Sequence, residues 1–137
     1  PEPARIALIY GCWGLGPKTA DSIILSTSKA TDSIPCDIHL RSVATRLGLV
    51  EMEGLQMPNS SLCSKFVCNY EKSKLYSIPL CPRCNLCLRS RLTYLGILGG
   101  WIQTLTYLHG RAYCKTFNPK CSICPINTSC PKLGKSA

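Results

Sequence analysis

Four of the eleven cysteines fall in the last quarter of the chain, Cys114, Cys121, Cys124 and Cys130, with gaps of six, two and five residues between them. Four thiolates on one short stretch make a ligand set. A [4Fe–4S] cube takes one thiolate per iron, and spacers that carry Pro119 and Pro125 suit a loop wrapped around it better than a helix. Tetrahedral zinc accepts the same donors but is usually held by two Cys-x-x-Cys pairs, and only Cys121 and Cys124 form one, which favours the cluster. A middle segment holds five more cysteines, Cys63, Cys68, Cys81, Cys84 and Cys87, the last three in the doubled pair CPRCNLC. These are candidate ligands of a second site, a structural zinc; the alternative is a set of free thiols without metal. An odd total argues against a fully paired disulfide scaffold, so the thiols are expected to be reduced and the protein to sit in an intracellular reducing compartment, cytoplasm, nucleoid or nucleus.

A different chemistry is suggested near the start. In GLGPKTAD, Gly14 and Gly16 let the backbone come close to a ligand, and the N–H groups at the start of the helix that follows are free to bind a phosphate. Pro17 suits the first position of that helix, where its missing N–H costs nothing. Lys18 and Thr19 then lie in the first helical turn. Farther on, Asp37 stands at the start of IHLRSVATRLGL, where a carboxylate caps a helix and is also placed to act on a neighbour.

The elements that must position these residues read as helices. ARIALIYGC has a short apolar face of Ile6, Leu8 and Ile9, and the glycines break it. The second helix carries Ala20, Ile23 and Ile24 inward, and the third carries Leu40, Val43, Ala44 and Leu47, with Arg41 and Arg46 on other faces. RLTYLGILGGWIQTLTYLHGRAY predicts two helices broken at Gly99 and Gly100, or one kinked helix, with Trp101 and Tyr107 in the core; Trp13 too is expected to pack. The fold class is all-α, a helix-hairpin-helix module with an irregular C-terminal metal loop, divided as 1–50, a basic Cys-rich insertion 51–91, and 92–137. The 137 residues suit one ordinary domain, and a formal charge of +9 favours a polyanionic partner, most simply nucleic acid. No apolar run reaches membrane-spanning length.

Taken together and in order, GLGPKTAD, PCDIHLRSVATRLGL, LHGRAYC and the four-cysteine tail resemble the endonuclease III family of DNA glycosylases and AP lyases, over residues 4–50 and 105–131. The resemblance implies a [4Fe–4S] cluster on Cys114, Cys121, Cys124 and Cys130, and double-stranded DNA with a damaged base or abasic site as partner. It implies that Lys18 is the amine that attacks the sugar and forms a Schiff base, that Asp37 assists base departure and the later proton transfers, and that the damaged nucleotide is flipped out of the duplex. Gly14, Gly16, Lys18, Thr19, Arg111, Lys115 and Lys120 are then the expected DNA contacts, Lys132 flanking the same loop.

The chain departs from that family in two places. The N-terminal helices that supply much of the family's base pocket are not found, so a fragment, or a partner chain supplying that half, is expected. The segment between the third helix and LHGRAYC is longer, and its Lys65, Lys72, Lys74, Arg83, Arg89 and Arg91 are expected to widen the DNA footprint. CPRCNLC also resembles part of a ferredoxin-type run, but Arg91 stands where the fourth cysteine would fall.

Overall fold

The computed structural model describes residues 2–133, which form seven α-helices, two 3₁₀ turns and no β-strand. The helices are α1 (Glu2–Gly11), α2 (Pro17–Ser28), α3 (Ile38–Arg46), α4 (Ser60–Cys63), α5 (Tyr70–Tyr76), α6 (Leu88–Arg91) and α7 (Gly99–Ala112). The all-α expectation holds. Among the described residues no helix is long and apolar enough to cross a membrane.

Helix α1 stops at the glycine-rich turn, where Gly14 has φ +80°, a conformation that a side chain disfavours. Pro17 then opens α2 from the extended Gly16. The two helices pack through Ile9 and Ala20, together with Cys63. The inward face of α1 is not the expected Ile6, Leu8 and Ile9: Glu2, Arg5 and Ile9 are buried, at three-to-four spacing. Asp21 is buried on α2, and from α6 comes a third charged residue, Arg89. Arg89 makes a two-pronged pair with Asp21 (both contacts 2.9 Å), and Arg5 approaches the same carboxylate at 3.2 Å. Glu2 meets Arg89 at 3.3 Å and Lys72 at 3.0 Å. Apolar periodicity misread this face because opposite charges from separate elements neutralise one another inside it.

The main core joins Ile34, Cys36, Leu40, Ala44, Val50, Leu55, Leu88 and Leu92. Leu55 and Leu88 bring the segment 51–91 into contact with α3. Within that segment the helices are short, and two isolated bridges, Gln56 with Cys87 and Val67 with Leu80, tie its strands of backbone together.

Helix α7 lies across α3. The helix begins at Gly99, but the backbone departs from helical geometry earlier, at Gly96 (φ 56°) inside the preceding 3₁₀ turn, Thr93–Leu98. Gly99 and Gly100 are close-approach positions: a methyl on Gly99 would lie 2.7 Å from Ile34, and one on Gly100 would lie 2.6 Å from Leu25. With Thr106 and Gly110 they form the buried face of α7. Small residues face inward so that the backbones can approach, which turns the bulky ones outward. Trp101 is accordingly 62% exposed and Tyr107 is also exposed, which corrects the expectation that both are core; Trp13, in the turn, is fully exposed.

Candidate functional site

Asp37 caps α3, accepting the Leu40 N–H on Oδ1 at 2.8 Å. An extended backbone at Asp37 points its carboxylate back over the first turn, as an N-cap requires. Its other oxygen, Oδ2, accepts from Gln103 Nε2 of α7 at 3.2 Å and faces Lys18 Nζ of α2 at 3.6 Å. One carboxylate thus divides its work: Oδ1 holds the helix and Oδ2 meets an amine. Lys18 is 54% exposed along its side chain, whereas Asp37 is buried. Gln103 had no signal in the sequence; only the crossing of α7 over the start of α3 brings it here.

The glycine-rich turn before α2 forms a concave surface with the end of α1 and Ser60; Lys18 and Asp37 do not line it. Gly16 caps α2 with no side chain, and the first N–H to return to it is that of Ala20. The N–H groups of Lys18 and Thr19 therefore precede the helix's own hydrogen-bond ladder and carry its positive end.

At the other end of α3, Arg46 organises the tail. It lies off the apolar face, as expected, but it is buried, and its guanidinium donates to the carbonyls of Cys114 (3.2 Å), Lys115 (2.7 Å) and Thr116 (2.8 Å). A planar five-donor fork is suited to gathering several carbonyls of one turn. Arg46 Nη1 also stands 3.4 Å from Cys114 Sγ, and His109 Nε2 lies 3.5 Å from Cys124 Sγ. Cys114, Cys121, Cys124 and Cys130 all line one small cavity, open to solvent, with Arg46, His109, Tyr113 and Lys132. Asn127 places a buried side-chain oxygen without a partner in the same wall. The donor set suits a [4Fe–4S] cluster: four thiols, one per iron, around one space, with the Arg46 guanidinium directed at Cys114 Sγ and a His109 ring nitrogen beside Cys124 Sγ. Lys115 and Lys120 are exposed on this loop; exposed Arg111 is engaged with Tyr107, 3.1 Å to its hydroxyl.

The middle cysteines do not share one environment. Cys63, Cys68, Cys81 and Cys87 line a second cavity, whereas Cys84 is absent from its lining and bonds Asn85 at 3.2 Å. Burial pushes the Cys63 thiol up, opposed by the neighbouring Arg5, and burial likewise pushes Cys87 up, opposed by backbone donors at Ser90 and Arg89. Among the described residues no three Cys, His, Asp or Glu side chains are gathered closely enough to hold a metal ion as they stand, in the tail or in the middle segment.

The basic residues of 51–91 divide too. Arg89 and Lys72 are taken up by the internal ion pairs, and Arg91 donates to the carbonyls of Glu51, Glu53 and Asn85. Three of the six are thus engaged within the protein, and Lys65, Lys74 and Arg83 are the exposed cations of the segment.

Over 117 residues, 85% of this chain, the sequence is 28% identical to Endonuclease III of Sulfolobus acidocaldarius. The chain spans 40% of the length of that curated relative. No protein-family model matches the chain, and no solved structure matches it. The similarity supports a distant relationship to Endonuclease III.

Proposed function

We propose that this chain carries the lyase centre of a DNA base-excision repair enzyme, a DNA N-glycosylase/AP lyase acting on oxidised pyrimidines or abasic sites. The observation that carries the reading is the 3.6 Å approach of Lys18 Nζ to Asp37 Oδ2 at the start of α2, beside the glycine-rich turn. The anionic strand is expected to lie against Gly14, Gly16 and the N–H groups of Lys18 and Thr19, with Lys115, Lys120 and Arg111 extending the contact along the backbone. A nucleotide flipped out of the stack then presents C1′ to Lys18.

The steps follow from the pair. Asp37 Oδ2 takes a proton from the Lys18 ammonium, and the free amine attacks C1′. The N–C1′ bond forms as the glycosidic bond breaks, and the base leaves with the bonding pair and the proton that Asp37 took from Lys18. One amine proton passes to O4′ as the sugar ring opens, which gives a protonated Schiff base at C1′. Asp37, again a carboxylate, takes a C2′ proton; the freed pair forms the C2′–C3′ double bond, the C3′–O bond breaks, and the 3′ phosphate leaves, which nicks the strand. Water then hydrolyses the Schiff base and frees Lys18. Gln103 holds Oδ2 toward Lys18 through these transfers, and the cap bond on Oδ1 keeps the carboxylate from rotating away.

Cys114, Cys121, Cys124 and Cys130 would hold a [4Fe–4S] cluster in this reading, with Arg46 donating toward Cys114 Sγ and a His109 ring nitrogen beside Cys124 Sγ. When bound, the cluster supplies a cross-link that gives the tail one shape and presents Lys115 and Lys120 on it.

A second reading, a non-catalytic DNA-binding module or a part that needs a partner for activity, is favoured by the openness of Lys18, more than half exposed. Borohydride trapping on a duplex with one abasic site separates the two. A covalent adduct formed by the native chain and lost in Lys18→Ala supports the lyase; DNA binding without any adduct overturns it in favour of the binder.

A further inference from the structure

The second cavity carries an inference that neither the similarity nor the lyase reading supplies. Its wall includes Cys63 from the end of α4, Cys68 from the turn that follows, Cys81 from the loop after α5, and Cys87, which caps α6. Four separate stretches thus bring four cysteines to the wall of one space, although no three of their side chains lie close enough to hold a metal ion as they stand.

Backbone bonds hold those stretches together. Val67 N–H donates to Pro79 at 3.1 Å and Cys81 N–H donates to Val67 at 2.9 Å, which sets Cys68 beside Cys81. Gln56 N–H donates to Leu86 at 2.7 Å and Leu88 N–H donates to Gln56 at 2.8 Å, which fixes Cys87.

Two polar groups have a use if the sulfurs are thiolates. Arg89 Nη1 stands 2.8 Å from Cys68 Sγ, and since a guanidinium has only donors the sulfur must accept. Ser90 Oγ lies buried in the wall of the same cavity without a partner. A hydroxyl in that position can donate to a thiolate, and a guanidinium offsets its charge.

Leu55, Leu88 and Arg89 anchor the ends of the segment to the rest of the protein, and what lies between is built of short elements. The segment's helices span four, seven and four residues, and α5 buries none of its side chains. Units of this kind usually need a disulfide or a structural metal. The eleven cysteines are all free thiols, so a disulfide does not fill that role.

We propose that Cys63, Cys68, Cys81 and Cys87 form a structural tetrathiolate site for a single Zn²⁺ ion, with Cys84 outside it. Four thiolates and no open position match a closed structural zinc site. Loading draws the four sulfurs inward from the cavity wall, releasing their protons. The site is independent of the tail and of the lyase reading.

The test is elemental analysis of the full chain purified under reducing conditions without chelator. About one zinc per chain is expected in the native protein and in Cys84→Ser, and loss of that equivalent in Cys68→Ser and Cys81→Ser with iron unchanged. If the tail also took zinc, the native count would rise but the same single equivalent would still be lost. Should the Cys68 and Cys81 variants fail to fold, Co²⁺ loading of the native chain and Cys84→Ser decides the matter. A four-thiolate cobalt spectrum, identical in both and displaced by Zn²⁺, supports the site. Fewer thiolates, a spectrum altered in Cys84→Ser, iron in place of zinc at these cysteines, or no metal would overturn it.

Discussion

Asp37 caps a helix with one oxygen and, in the proposed function, serves the Lys18 amine with the other, and substitutions can part the two roles. Asparagine caps a helix about as well as aspartate, whereas alanine gives up roughly 1 kcal/mol of cap. Asp37→Asn should therefore keep the melting temperature near native while borohydride trapping falls sharply; Asp37→Ala should lower both. A native-like trapping yield in Asp37→Asn would remove the carboxylate from the chemistry. The buried charges call for a different test. Burial alone would raise the Glu2 carboxyl, but Arg89, Arg5 and Lys72 outweigh it and hold the pKa at about 2, against 4.5 for the free group. The unfolded chain takes up that proton near 4.5 and the folded one does not, so the contribution is complete above pH 4.5 and is lost as the pH falls toward 2. It amounts to about 3 kcal/mol. Urea melts between pH 6 and 3 should show this decline in the native chain and a shallower one in Glu2→Gln. Arg89→Met leaves Asp21 and Glu2 short of a partner in the interior and should cost about 3–5 kcal/mol at neutral pH, measured by the same melts.

At the scale of elements, the first three helices were legible because their ends are marked by chemistry: Pro17 starts one, Asp37 caps another, and the glycines between Cys12 and Pro17 stop the first. What lay between those marks was less legible. Arg5, Arg46 and Arg89 were invisible as interior residues, since each is buried by partners far along the chain that periodicity does not register. The tail cysteines could be grouped from their spacing, whereas the exclusion of Cys84 from the middle group depends on which way the loop after α5 turns. Helix α7 misled for a steric reason: its small residues pack and its large ones do not. The glycines of α7 and of the turn should therefore respond differently to alanine. Gly100→Ala places a methyl against Leu25 and within 3.1 Å of the Thr31 carbonyl, and should cost about 1–3 kcal/mol. At Gly16 the nearest atom is Ser60 Oγ at 3.8 Å, with ample room, so Gly16→Ala should change thermal stability little and act on DNA affinity instead. Equal losses of stability in the two variants would refute this assignment of roles.

The whole molecule has an excess of positive charge, +9, but charge that is spent inside is unavailable to a polyanion. Arg5 and Arg89 are sealed in ion pairs, Lys72 is held by Glu2 and Asp32 at 3.0 Å each, and Arg46 is committed to the tail's carbonyls. Lys18, Lys115 and Lys120 remain exposed along the proposed DNA face. If that face neutralises phosphates, each lysine released from it should reduce the slope of log affinity against log salt by about 0.9. Lys120→Ala should thus weaken duplex binding at low salt and flatten the slope by about one counterion. Lys72→Ala should leave the slope unaltered and lower stability, because the cation it removes faces Glu2 and not solvent. Fluorescence anisotropy across a salt series reads both quantities for the two variants. A slope lowered equally by both would mean that net charge alone, and not this arrangement of exposed and internal cations, governs how the protein meets DNA.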